Sequence, residues 1–192
     1  MIRYFIFALC FVLAACNSDY TLKQRGYYRI DFPKHEYQEF SQPGYPYTFE
    51  YPVYAKILRD TTFFEAKPEN DYWINIDFPR FAGKVYISYK EIRKNNFDSL
   101  VSDAFKMTYK HTSKATGITD SFMKTPLGLT GRFFQVGGNA ATAKQFFVSD
   151  SVKHFIRGAL YFDASPNEDS LAVVNNFLQE DMKHLINTLR LK

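Results

Sequence analysis

Cysteine is almost missing from this 192-residue chain: Cys10 and Cys16 are the only two, and tryptophan occurs once. Both cysteines fall within the first sixteen residues, so no disulfide can staple the body of the chain and no cysteine cluster has metal or redox spacing. Histidine is sparse as well. His35, His111, His154 and His184 are scattered, and none forms the i, i+4 pair around a glutamate that sets two imidazoles on one helix face for zinc. Neither a metal nor a cofactor is therefore expected. Long apolar runs are lacking, the best being Tyr4 to Leu13, about half of the roughly 20 residues that a membrane-spanning helix needs. A strong charge is lacking too, since the net value of +4 is dispersed, which excludes the clustered basic face of a nucleic-acid reader. What the chain does have is aromatic mass, 20 Phe and 14 Tyr within 46% apolar residues. A domain of about 150 residues buries close to 70% of its unfolded surface, so one such core can hold without staples.

The first sixteen residues have a separate logic. Arg3 gives a positive start, Tyr4 to Leu13 an apolar stretch, and Ala14-Ala15 a small-residue cleavage site, the pattern of a secretory signal peptide. Leu13-Ala14-Ala15-Cys16 reads further as a bacterial lipobox, which predicts diacylglyceryl transfer to the Cys16 thiol, cleavage after residue 15, and acylation of the new amino terminus. Cys16 is thus the expected lipidation residue. One acyl chain holds a protein to a bilayer only marginally, whereas three make a durable anchor. Loss of residues 1–15 removes Cys10 and Arg3 and leaves 23 basic against 20 acidic residues. Asn17 stands where an inner-membrane retention aspartate would, which points to the outer membrane, facing the periplasm. Residues 16–42 read as anchor and tether, although Tyr27 to Pro33 is too aromatic for a solvated linker and is expected to lie against the domain or a partner. Residues 43–192 read as a single domain.

Within that domain the period-2 signal comes first. Tyr45 to Tyr51 places aromatics at every second position, Val53 to Leu58 is a second short strand candidate, and Tyr72 to Phe78 and Gly83 to Tyr89 alternate apolar with polar residues. A 3.6 period follows over residues 97–115, with Asn95 or Asn96 as cap and Gly117 as stop. Three more strands are predicted, Thr130 to Val136, Ala143 to Ser149 and His154 to Phe162, the first two joined by the turn formers Gly137 to Ala141. Leu171, Val174, Phe177, Leu178, Met182, Leu185, Ile186 and Leu189 then line one helical stripe that is predicted to reach the carboxy terminus, opened by Pro166 with Asp169 or Ser170. Strand runs flanked by a few helices, without βα alternation, give an α+β class built on an antiparallel sheet with a C-terminal amphipathic helix.

Catalytic chemistry finds little footing. Ser149-Asp150-Ser151 with His154 is the one cluster holding a nucleophile and a base. Extended residues three apart point to opposite faces, and no Gly-x-Ser-x-Gly elbow is present, so a side-chain-stabilised turn between two strands is the preferred reading. Gly137-Gly138 lacks the spacing and the lysine of a phosphate loop and reads as a turn. No catalytic residue is assigned.

Several blocks nevertheless agree with one family. Tyr47 to Ala55, Ser88-Tyr89-Lys90, Val136 to Ala141, and Gln145 to Phe162 continuing through Pro166 to Ser170 resemble, in the same order, the gliding motility lipoprotein GldD family of the Bacteroidetes. The chain departs from that pattern near Thr142 and Phe147-Val148-Ser149 by substitutions of similar character. The resemblance implies a non-enzymatic cell-envelope lipoprotein required for gliding, linked to type IX secretion, with the membrane and other gliding or secretion envelope proteins as partners and no nucleic acid. It carries a defined role for Cys16 alone. By element order the domain also resembles the PsbP/Mog1-like α+β sandwich, an analogy of fold that licenses no function. Two other readings follow from the residues: a periplasmic carrier of a hydrophobic ligand, from the aromatic load, and a serine hydrolase using Ser151 and His154.

Overall fold

The computed structural model describes Gly26 and residues 29–60, 68–92 and 96–192. The chain divides into two compact units, Met1–Asp31 and Phe32–Lys192. The second takes in residues 32–42, which the sequence reading assigned to the tether. Here β1 (Tyr37–Phe40) pairs antiparallel with β2 (Tyr47–Pro52), and β2 pairs on its other side with the short last strand β10 (Arg190–Leu191). A larger antiparallel sheet of seven strands has the order β3-β4-β5-β9-β8-β7-β6. Its strands are β3 (Lys56–Arg59), β4 (Ile74–Phe78), β5 (Gly83–Glu91), β6 (Ala115–Lys124), β7 (Thr130–Gly138), β8 (Lys144–Ser149) and β9 (His154–Phe162). Two α-helices, α1 (Phe97–Tyr109) and α2 (Glu168–Thr188), and a 3-10 turn at Pro79–Phe81 complete the described elements. The chain is thus a mixed α+β protein with antiparallel sheets and a C-terminal helix.

Alternation decides how the layers form. On β5 the residues Val85, Ile87 and Tyr89 are buried between half-buried neighbours, and with Ile156 and Leu160 of β9 and Phe146 and Val148 of β8 they face one core. Over that face lie α2, through Leu178, Met182, Leu185 and Ile186, and the small sheet, through Phe40, Tyr47 and Phe49. The opposite face buries Phe134, Phe147 and Phe155 against Leu100 and Ala104 of α1. All six residues of β8 are buried because both of its faces are covered.

Three sequence expectations are corrected. Helix α1 stops at Tyr109, and residues 110–114 form turns in which Lys114 N and Ala115 N both bond to His111 O, after which the chain leaves in β6. The final helix does not reach the terminus: Leu189 is extended, and Arg190 and Leu191 pair with Thr48 and Tyr47. Its cap is Asn167, whose side chain accepts from Ser170 N at 3.0 Å. The strand β6 was not anticipated at all.

Candidate functional site

The serine and histidine cluster resolves into a turn. Asp150 Oδ1 accepts from the backbone N–H groups of Val152, Lys153 and His154 at 2.9–3.0 Å. Burial alone would push its carboxyl up, but these three bonds outweigh it and hold Asp150 below the ordinary carboxylate range. Ser149 Oγ donates to His154 O at 2.7 Å and accepts from Ser151 N at 2.8 Å. Ser151 itself sits exposed at φ 61°, at the apex of the turn. His154, 4% exposed, turns the other way, its Nδ1 lying 2.8 Å from Tyr89 Oη. Burial lowers its proton affinity, and burial likewise pushes the Tyr89 phenol up to about 12. The structure therefore brings His154 to Tyr89, with Ser149 and Asp150 bonding the backbone of the turn.

The other histidines have different settings. His35 Nδ1 is 2.7 Å from Asp181 Oδ1 of α2, a carboxylate whose side chain is 1% exposed. Tyr37 and Tyr54 also donate to Asp181, and burial together with that carboxylate pushes both phenols well above their usual range. His184 Nε2 lies 2.6 Å from Glu50 Oε2, and its ring stacks on Tyr37 at 3.5 Å. Phe177 stacks on Phe32 and on His35, each at 4.4 Å. The result is an aromatic and carboxylate clasp joining residues 32–37 and β2 to α2. His111 is half-buried in the turns after α1, its proton affinity lowered by burial and by Arg157. Among the described residues no group of three His, Cys, Asp or Glu side chains is disposed to hold a metal. The leader at residues 1–15 and Cys16 lie outside the described residues.

The cavities were not anticipated. A volume of about 390 Å³ opens between the start of α2 and strands β6, β7 and β8. Lys144 shares the β8 face of Phe146 and Val148, so it points toward α2, where Ala172 and Asn175 leave room. Although 8% exposed, its amine is bonded only to a neutral amide, donating to Gln135 Oε1 at 2.8 Å. Burial lowers the Lys144 pKa, with Lys183 adding to the effect. Asn175, 7% exposed, has no partner for its amide oxygen. Gly138, at φ 83°, allows the backbone of residues 114–116 to lie where a Cβ would be 2.7 Å from Thr116 N. The pair predicted as a turn thus ends strand β7. Asn139 Oδ1 then accepts from Glu168 N at 2.9 Å, seating α2 on the hairpin.

A second cavity of about 400 Å³ lies further along α2, lined by Phe122, Met123 and Lys124 of β6 and by Gln179 and Lys183. A third, of about 490 Å³, lies by Tyr45, Arg59 and Asp71. All three mix polar with apolar walls. None of the described helices is long and apolar enough to cross a membrane.

The fold is an α+β domain whose two helices cover opposite faces of its main sheet, with open clefts of mixed polarity along α2. The chain belongs to the gliding motility lipoprotein GldD family, whose model matches residues 17–191. No curated protein matches the chain. Among solved structures it is similar to cyanobacterial PsbP (CyanoP) from Synechocystis sp. PCC 6803, seen in solution, with TM-score 0.46 and 12% identity over 89% of this chain and 99% of that one.

Proposed function

We propose that the protein is a lipid-anchored component of the gliding machinery, linked to type IX secretion, that binds and stabilises other envelope proteins without catalysing a reaction. Acylation at Cys16 after removal of residues 1–15 anchors it at the outer membrane, facing the periplasm, and the folded domain does the binding. The observation that carries this reading is the open cleft between α2 and β6, in which a buried lysine and a buried amide oxygen stand without a charged or donating partner. A carrier of hydrophobic ligands would instead be organised around a deep apolar cavity. A partner that binds only the folded form of another protein stabilises it by mass action, so its loss lowers the abundance of what it holds.

Deletion of the gene tests this reading. Deleted cells should fail to spread on agar and to move on glass, and at least one other gliding or secretion component should fall in abundance, with both effects restored together by the lipidated protein. Cys16→Ser should abolish lipid labelling. Normal gliding with unchanged component levels in the deletion strain would overturn the proposal.

A further inference from the structure

The two cavities lie one after the other along α2 and share Gln135 in their walls, so a ligand laid along α2 against β6 would pass through both as one trough. Its charge is one-sided. Lys124, Lys144 and Lys183 line it against a single carboxylate, Glu168, at the end nearest the start of α2. Lys183 is satisfied by Glu180 at 3.3 Å, but the buried amine of Lys144 has only the Gln135 amide. A desolvated ammonium without a carboxylate partner is costly, and an incoming anionic group would relieve that cost.

The helix wall adds a second match. Asn175 Oδ1 and Gln179 Oε1 both lack partners. Positions i and i+4 of a helix lie about 6 Å apart along its axis. An extended chain presents backbone N–H groups to one side every second residue, about 6.6–6.8 Å apart. Neighbouring atoms cover the two oxygens in the free protein, so docking calls for a rotation about the terminal amide torsion, which is broad. Beyond them Met123, half-buried on the sheet face that α2 covers, gives an apolar contact.

We propose that the trough docks an extended polypeptide segment of a partner protein, lying along α2 with its backbone N–H groups on Asn175 and Gln179 and with an Asp or Glu carboxylate on Lys144. This rests on the reading of the protein as a binding component and names the chemistry of what it holds.

The test uses the full-length lipidated protein in detergent micelles and two pools of capped eight-residue peptides, randomised except for a central Glu in one and a central Gln in the other. The Glu pool should be retained at least about tenfold better than the Gln pool. Lys144→Gln should abolish that preference, and Lys90→Gln, which lies on β5 paired with Glu69, should leave it intact. Asn175→Leu should weaken both pools while keeping the preference for Glu. Thermal melts of each variant establish that it is folded. Equal retention of the two pools, retention of neither, or an undiminished Glu preference in Lys144→Gln overturns the proposal. Binding of N-acetylglutamate as tight as the Glu pool also overturns it, because the trough would then be a small-anion site. Failure of these arms in a strain whose deletion still stops gliding rejects this inference and leaves the proposed role standing.

Discussion

His35 Nδ1 and Asp181 Oδ1 lie 2.7 Å apart although 146 residues separate them in the chain. The contact ties the stretch before β1 to the middle of α2. Tyr37 and Tyr54 converge on the same carboxylate, so one buried acid serves three donors from two segments. Asp181→Ala takes that partner from the half-buried Tyr37 and Tyr54 hydroxyls, at about 1–3 kcal/mol for each donor left unsatisfied, and from the more exposed His35, which water can serve. Urea unfolding should show a loss of about 2 kcal/mol or more. Tyr37→Phe, which keeps the ring and its stacking on His184, should lose only about 1 kcal/mol. Equal losses for the two variants would place the stability in the rings and not in the acid.

The stripe on α2 separates two kinds of burial. Leu178 is fully enclosed in the main core, and Leu178→Ala should cost about 2–5 kcal/mol. Phe177 is half-buried in the aromatic cluster of Phe32, Phe81, His35 and Tyr54. Phe177→Ala should therefore lower the melting temperature by less than Leu178→Ala. A Phe177→Ala protein that melts with the wild type would show that the clasp adds nothing to stability.

Acid should weaken the fold in a way that His154 makes visible. Its folded pKa lies below the ordinary 6.5 because burial disfavours the imidazolium. The unfolded chain then binds more protons at pH values under 6.5, so this contribution is intact above 6.5 and is lost as pH falls through the folded value. Asp150 acts in the same direction only below its ordinary 3.8. His154→Gln should flatten the fall in stability below pH 6.5, measured by denaturant midpoints across pH. Parallel curves for variant and wild type would contradict this.

Two glycines predict opposite outcomes for rescue. A Cβ on Gly131 would sit 1.9 Å from Phe147 O, a backbone atom of the β7–β8 pair that cannot yield. A Cβ on Gly158 would sit 2.2 Å from Phe146 Cε1, a side-chain atom. Both alanine variants should be destabilised by about 1–3 kcal/mol or more. Adding Phe146→Leu should recover part of the loss in Gly158→Ala and none in Gly131→Ala, a difference that a double-mutant cycle reads directly.

Which parts of this architecture could be read from the sequence follows from where burial leaves a mark. Strands β4 and β5 were legible because one face is apolar: Ile74, Ile76 and Phe78 alternate with Asn75 and Asp77. Strand β9 was placed at its observed limits. Strand β6 was invisible since almost every residue from Thr116 to Lys124 is exposed or half-exposed, so nothing in Thr119-Asp120-Ser121 has an inside to declare. The stretch Tyr37–Phe40 has one buried residue in four, and β10 is two residues long. The Asp150 turn was legible because its bonds span four residues. The Asp181 clasp and the Lys144 cleft were not, because their members come from opposite ends of the chain or from a register that only the folded sheet sets.

The pairing of Tyr47 with Leu191 and of Lys192 N with Pro46 O sets an order of events. Strand β2 emerges early in synthesis, yet both α2 and its β10 neighbour come last, and contacts between distant positions form slowly because a long loop must close first. The small sheet cannot be completed until residues 190–192 are free of whatever machine delivers the chain. A molecule delivered only as far as Leu189 lacks β10 and leaves one side of β2 an unsealed edge.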